Sequence, residues 1–162
     1  DSPEHISRQA GCEVIVEHVV VQNPGKQRSI KLPSDKVSND FARVRDNSEI
    51  SIVALLLGGL EPARTLAIEL LKSGKDLVTA NKALLAEHGP ELFGVAHAMG
   101  RSIAFEAAIA GGIPIVAAIS ECLTGNRISS IRGILNGTSN FILTKMEQDG
   151  SDYHEVLALS QD

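Results

Sequence analysis

Residues 51–57 read SIVALLL, and the paired glycines Gly58 and Gly59 follow them. A continuous apolar run of this length is typical of a strand that is buried on both faces of a parallel sheet. Helices are predicted over 61–73, 81–88 and 91–99, and strands over 76–79 and 102–107. Because strands that alternate with helices build a sheet covered by its own connections, the sequence predicts an α/β fold.

Two further regions flank this alternating pattern. Upstream, the β-rich run 12–22 closes at a turn formed by Asn23, Pro24 and Gly25, and 28–32 is predicted to be its partner strand in a hairpin. After Gly111 and Gly112 the pattern changes. Helices are predicted over 114–123, 137–148 and 153–159, with a strand over 128–135.

The composition excludes several classes of protein. With 43% hydrophobic and 22% charged residues, the chain of 162 residues has the balance of a globular protein. A net charge of −5 argues against nucleic-acid binding, which requires clustered Lys and Arg. Apolar runs are too short to span a bilayer, and the N-terminus does not resemble a signal peptide. Cys12 and Cys122 lack metal or redox spacing, so we expect two buried thiols in a reducing compartment.

Two predicted junctions carry residues suited to a ligand, because ligands of open α/β sheets bind beyond the carboxyl ends of the strands. At Gly58 and Gly59 the backbone can approach a flat or phosphorylated ligand closely; the alternative is a tight strand-to-helix turn. At the next junction, Thr79 and Asn81 can cap a helix start, and Lys82 stands at the ligand edge. The alternative for Lys82 is a solvated lysine in the first turn, which the helix dipole slightly disfavours.

Glu106 is a third candidate, because it lies among apolar residues and a buried carboxylate needs a partner. The backbone carbonyls of 109–114 could surround a small hard cation with Glu106 as its charged ligand; the alternative is a salt bridge. The polar stretch 136–140, NGTSN, could bind an anion through free amides or be an ordinary N-cap. The five histidines have no metal-ligand spacing, and the chain contains no Gly-x-Gly-x-x-Gly.

Three long motifs occur together in the order and spacing of one known family. They are VTANKALLA at 78–86, FEAAIAGGIPIV at 105–116 and GNRISSIRGILNGTSNFILTKM at 125–146. With LGGLEPAR at 57–64, they closely resemble homoserine dehydrogenase over essentially the whole chain. The resemblance implies an incomplete Rossmann-type nucleotide-binding domain over 1–107, followed over 108–162 by the start of an α+β substrate and dimerisation domain.

The resemblance also implies an activity and its site. The activity is oxidation of L-homoserine to L-aspartate 4-semialdehyde with NAD or NADP, or the reverse reduction, in threonine and methionine biosynthesis. A homodimer in the cytoplasm or a plastid is expected. The implied cofactor contacts are Gly58, Gly59, Thr79, Ala80 and Lys82, the last also near the reacting centre. The implied sodium ligands are the side chain of Glu106 and the carbonyls of Ile109, Gly111 and Ile113. Thr138 is implied to lie beside bound homoserine.

The sequence departs from the family pattern at both ends. The family's glycine-rich phosphate loop would precede residue 1, and its acidic substrate-binding residues and catalytic lysine would follow Asp162. Leu55 stands where many members carry Glu. We therefore expect a central piece of the enzyme that is inactive alone and has no catalytic residue of its own. Two alternatives stay open: a non-catalytic dimerisation or interaction module derived from this family, and another dehydrogenase with a similar lysine and cation loop.

Overall fold

The computed structural model describes residues 3–30, 32–134 and 136–160, and the chain divides into two compact units, Asp1–Ala104 and Phe105–Asp162. The first unit contains α1 (Pro3–Ala10), β1 (Val19–Val20), β2 (Val37–Ser38), α2 (Ala42–Arg45), β3 (Ile52–Leu55), α3 (Ala63–Lys72), β4 (Asp76–Thr79), α4 (Lys82–Ala98) and β5 (Ile103–Ala104). The second contains α5 (Ile115–Ala117), α6 (Gly137–Asp149) and α7 (Tyr153–Leu159). Short 3₁₀ turns occupy Ser34–Lys36 and Glu106–Ala108, and a π-helical turn, Ala118–Cys122, continues α5.

The larger sheet of the first unit is parallel, with the strand order β3-β4-β5. Helix α3 connects β3 to β4, and α4 connects β4 to β5, which confirms the predicted α/β fold. In this register Leu55 pairs with Thr79. The last residues of β3 and β4 therefore end level at one edge of the sheet, and the loops that follow them leave from the same place.

An aliphatic core joins α3 and α4 to one face of this sheet. Its buried members are Val44, Ile50, Leu55, Ala63, Ala67, Leu70, Leu71, Leu77, Leu84, Leu92 and Ala96. The helix predicted over 61–73 is confirmed as α3, and four of these buried residues, Ala63, Ala67, Leu70 and Leu71, lie on it. The prediction that the strand at 51–57 is buried on both faces is wrong, since Ile52 is 61% exposed. Successive side chains of a strand point to opposite faces, and among the described residues the helices cover only the face that carries Leu55.

Helix α4 is continuous, although two helices separated by Gly89 and Pro90 were expected. It runs from Lys82 to Ala98 with Pro90 inside it. A proline removes one backbone donor and often ends a helix. Here Gly89 and Leu92, on either side of Pro90, are buried against the core. Tertiary packing therefore holds the helix together where the local sequence favours a break.

The predicted hairpin near the N-terminus is wrong. Strand β1 pairs in parallel with β2, so that Val19 lies opposite Val37, and the described part of 28–32 forms no strand; Lys31 lies outside the described residues. The Arg28 guanidinium donates to the carbonyls of Asn23, at 2.9 Å, and Lys26, at 2.8 Å. These bonds close the intervening turn on itself, so the chain after the turn does not return along β1.

In the second unit the predicted helices over 137–148 and 153–159 are confirmed as α6 and α7. The helix predicted over 114–123 is also present, as α5 and the turn that follows it. The strand predicted over 128–135 is not found in its described part, 128–134, which is exposed and pairs with no described residue; Leu135 lies outside that part. An alternating pattern makes a strand only where a neighbour satisfies its backbone.

Two further expectations concern the surface. Both Cys12 and Cys122 are exposed, so the prediction of buried thiols is wrong. The small apolar side chain of Cys tends towards burial, but neither residue lies on an element that packs into a core. Across residues 3–30, 32–134 and 136–160, no helix combines the length and apolar character that a bilayer crossing requires.

Candidate functional site

The loops after β3 and β4 meet at one edge of the sheet and are joined by hydrogen bonds. The side-chain amide nitrogen of Asn81, in the loop after β4, donates to the carbonyls of Leu57, at 2.9 Å, and Gly59, at 2.6 Å. Five of the predicted site residues, Gly58, Gly59, Thr79, Ala80 and Lys82, are therefore brought together here. This edge is the position at which parallel α/β sheets bind their ligands.

The glycine pair forms an open surface at this edge. Gly59 has a φ of 76°, a left-handed conformation that favours glycine. A Cβ placed on either glycine would meet no atom within 4 Å. The backbone of Gly58 and Gly59 can thus touch a ligand directly, and a side chain at either position would occupy that space.

Thr79 has a structural role that its sequence position only partly revealed. Its side chain is buried, and its hydroxyl donates to the carbonyl of Leu55 at 3.0 Å. The same oxygen accepts from the backbone amide of Asn81 at 3.2 Å. The buried hydroxyl therefore joins β3, β4 and the loop through its hydrogen bonds. The groups left to contact a ligand are the backbone of Thr79 and the exposed Ala80.

Lys82 is the first residue of α4 and is exposed. Within the described residues its ammonium group has no hydrogen-bond or ion-pair partner. The first turn of α4 contains no acidic residue, and free backbone amides at a helix start attract anions. A cation with free donors beside an open glycine turn suits a ligand that carries negative charge.

A charge network flanks the same edge at the start of α3, and the sequence alone gave no reason to single it out. Arg64 donates through Nε to Glu91 at 2.7 Å and through a second nitrogen to the other Glu91 oxygen. This bidentate pair lowers the pKa of the Glu91 carboxyl. The pKa of Glu61 is also lowered, first by a hydrogen bond from the Thr65 hydroxyl at 2.9 Å. The pattern E-P-A-R-T, which puts Glu61 within one helical turn of Arg64 and Thr65, is the only local signal for it.

The second unit holds Glu106, whose carboxylate is half-buried as expected. The expected alternative of a salt bridge is wrong among the described residues. Instead, its two oxygens accept from the backbone amides of Val116 and Ala117, each at 2.9 Å. These are free amides at the start of α5, so Glu106 caps that helix from ten residues upstream, a role that spacing did not reveal.

The loop between Glu106 and α5 bends sharply. Ala110 and Gly111 both have positive φ, at 56° and 62°. The carbonyl of Ile113 accepts from the amide of Ile115 at 2.8 Å. In the described residues no group of three or more His, Cys, Asp or Glu side chains is arranged to hold a metal ion. Any cation here would depend on Glu106 and backbone carbonyls.

Thr138 lies in the first turn of α6 and is exposed. The side chain of Asn136 accepts from the amide of Ser139 at 2.8 Å, so the ordinary N-cap expected as one alternative for 136–140 is present.

A cavity of about 620 Å³ in the first unit is lined by Lys26, Arg28 and their neighbours, and no predicted site residue lines it.

Comparison with known proteins agrees with both units. The family model described as the NAD-binding domain of homoserine dehydrogenase matches residues 3–106, and the model described as homoserine dehydrogenase matches residues 114–162. The chain belongs to the homoserine dehydrogenase family. The predicted resemblance and the predicted fold class are thereby confirmed.

Relatives within the homoserine dehydrogenase family match nearly all of this chain. It is 44% identical to a homoserine dehydrogenase of Synechocystis over 90% of this chain and 34% of the relative. It is 40% identical to that of Bacillus subtilis over 100% of this chain and 37% of the relative. The structure of a homoserine dehydrogenase from Thiobacillus denitrificans gives a TM-score of 0.82 at 44% identity, covering 98% of this chain and 36% of that one. The chain therefore spans about a third of the length of these relatives.

One further homoserine dehydrogenase structure bears on the cofactor. A hyperthermophilic archaeal mutant in complex with NADPH matches with a TM-score of 0.64 at 26% identity, over 75% of this chain and 38% of that one. The family model that matches residues 3–106 is likewise described as an NAD-binding domain.

Proposed function

We propose that the protein carrying this chain is an NAD(P)-dependent homoserine dehydrogenase. The observation that supports this most strongly is that family models match both units, while the open glycine turn and Lys82 share one sheet edge. In the proposed reaction, C4 of L-homoserine loses a hydride to the nicotinamide and its hydroxyl loses a proton, which gives L-aspartate 4-semialdehyde. The reaction would serve threonine and methionine biosynthesis.

The cofactor is proposed to lie along Gly58 and Gly59, with the backbone of Thr79 and Ala80 beneath it and Lys82 beside it. When bound, NAD(P) supplies the hydride chemistry. The chain's part is to bind and orient: the glycines allow close approach, and Lys82 donates hydrogen bonds to a polar or anionic group. Because Lys82 has no partner among the described residues, its ammonium is available without breaking an existing pair.

A monovalent cation, sodium, is proposed at the loop 109–113. The donor set fits a hard cation, since a carboxylate and backbone carbonyls are oxygen ligands. Each oxygen of Glu106 accepts one backbone hydrogen bond and retains a further lone pair. The carbonyls of Ile109 and Gly111 would complete the set with that of Ile113, which already accepts one amide.

The same proposal includes three further features: a substrate contact, the division into domains and the oligomeric state and location of the protein. Thr138 would contact bound homoserine through its exposed hydroxyl. The chain would divide into a cofactor domain over 1–107 and a substrate and dimerisation domain over 108–162. The protein would act as a homodimer in the cytoplasm.

The decisive experiment is a steady-state assay on the protein that carries these residues. L-homoserine and NADP or NAD are supplied with and without sodium, and reduced cofactor is followed spectroscopically. Turnover of homoserine well above that of other short-chain amino alcohols is expected. A dimer seen by sedimentation that binds neither NADP nor NAD would instead support a non-catalytic module. Faster turnover of another alcohol would support a different dehydrogenase.

A further inference from the structure

The side chain of Asn81 uses both ends of its amide within the first unit. Its Nδ2 donates to the carbonyls of Leu57 and Gly59, and its Oδ1 accepts from the backbone amide of Leu84 at 3.0 Å. Carbonyls can only accept and a backbone amide can only donate, so this arrangement allows one orientation of the side-chain amide. Asn81 is therefore more than an N-cap: it joins the start of α4 to the loop after β3.

Packing does little to hold that loop. Leu56, Leu57 and Leu60 are exposed, by 74%, 44% and 40%. Gly58 and Gly59 have no side chains, and their backbone freedom makes them costly to order. The two hydrogen bonds from Asn81 position the loop, since they fix the carbonyls on both sides of Gly58.

We propose that Asn81 is a positioning residue that sets the glycine turn relative to Lys82 and thereby controls cofactor affinity. This inference rests on the proposed function, because it takes the glycine turn and Lys82 as the cofactor site. Asn81 is adjacent to Lys82 and bonded to Gly59, so it links the two halves of that site through one side chain.

The chemistry of the amide allows the joining role to be separated from the capping role. Ser and Asp cap helices about as well as Asn, because each offers an oxygen to the backbone amide of the first turn. Neither can donate to two carbonyls at once while it caps. Ser is too short, and an ionised Asp has no hydrogen to donate. Asn81→Ser is therefore the main test variant, since it keeps the cap and adds no charge near an anionic cofactor.

The test measures cofactor kinetics and loop exchange in the same set of variants. In Asn81→Ser, we expect the KM for NADPH or NADH to rise roughly tenfold while kcat changes less than threefold. Hydrogen–deuterium exchange of the peptide covering 56–60 should accelerate roughly tenfold, with the α4 amides as protected as in the wild type. Asn81→Asp should raise the cofactor KM at least as much, and Asn81→Ala should also expose the first turn of α4.

Gly94→Ala, in the exposed middle of α4, is the matched control and should leave KM and loop exchange unchanged. If Asn81→Ser matches the wild type in both measurements, and only Asn81→Ala differs, the residue is an ordinary cap and the proposal is wrong. If the wild-type protein binds no NADPH or NADH, the proposed function fails instead, and the exchange of 56–60 still decides whether Asn81 holds the loop.

Discussion

The carboxylate of Glu106 accepts a hydrogen bond from the backbone amide of Val116 at 2.9 Å, across a loop that bends through two left-handed residues. Its second oxygen accepts from the next amide, that of Ala117, at the same distance. An ionised acceptor on two free amides makes hydrogen bonds stronger than neutral ones. This residue therefore closes the loop whether or not a cation is present.

The first prediction concerns that contact. Glu106→Gln keeps the shape of the side chain but turns one acceptor into an NH₂ group that faces a backbone donor. We expect the free energy of unfolding to fall by about 1–3 kcal/mol, measured by urea denaturation. Glu147→Gln, on an exposed position of α6, is the matched control and should change stability by less than about 0.5 kcal/mol. Equal effects of the two substitutions would contradict the capping role.

The second prediction separates function from stability at Lys82. Lys82→Met should reduce kcat/KM for homoserine by on the order of 100-fold, because the ammonium donates to the cofactor or the substrate. Its melting temperature should stay within about 2 °C, since this exposed lysine at a helix start has no partner to lose among the described residues and is slightly disfavoured by the dipole. Lys72→Met, at the exposed end of α3, provides the control and should retain full activity. A large loss of stability in Lys82→Met would show that the lysine is structural.

The third prediction contrasts the two glycines of the turn. Gly59→Ala forces a Cβ into the left-handed region and should cost about 1–2 kcal/mol of stability. Gly58 has no positive φ, and its Cβ would meet no atom of the described residues within 4 Å, apart from its chain neighbours, so Gly58→Ala should be nearly neutral. If the cofactor lies on this turn, Gly58→Ala will nevertheless raise the Kd for NADPH several-fold, as fluorescence titration can show. Unchanged affinity in a stable Gly58→Ala protein would place the cofactor elsewhere.

The fourth prediction is a pH dependence that arises from Arg64 and Glu91. Their hydrogen-bonded pair lowers the pKa of Glu91 from its ordinary value of 4.5. A carboxyl whose pKa is lowered on folding stabilises the protein above its unfolded pKa, and this contribution disappears as the pH falls through the lowered value. Arg64→Met should therefore lower the melting temperature slightly, by on the order of 2 °C, near neutral pH, and the difference should shrink below pH 4.5.

Lys36→Met is the control for this comparison. The Lys36 ammonium donates to the carbonyl of Val16 at 3.1 Å, but its contact with a carboxylate, that of Glu17, is long, at 3.5 Å, and exposed. It should lower the melting temperature less than Arg64→Met does near neutral pH. A difference between the wild type and Arg64→Met that grows on acidification would reverse the sign and refute the linkage.

Local sequence patterns predicted the helices and strands correctly where the tertiary packing favours the same structure. The helix predicted over 61–73 is present as α3, Ala63–Lys72, and the observed bounds of β4 and α7 match those predicted from their sequences. Three predictions failed where a distant partner decides the outcome. Pro90 is held inside α4 by its buried neighbours. Val19 pairs with Val37 instead of with the described part of the nearer segment predicted over 28–32. Residues 128–134 have no strand beside them among the described residues.

The candidate site likewise combines features that the sequence predicts with features that depend on the tertiary structure. The sequence by itself determined which residues occupy the sheet edge, because Gly58, Gly59 and Lys82 lie shortly after strands that the apolar runs predict. The long motifs identified the family. Only the tertiary structure decided how they are connected: Asn81 bonds to Leu57 and Gly59, and Glu106 bonds to Val116. Helix and strand patterns arise from neighbouring residues, whereas these hydrogen bonds join groups ten or more positions apart, and their partners are chosen by the packing of the chain.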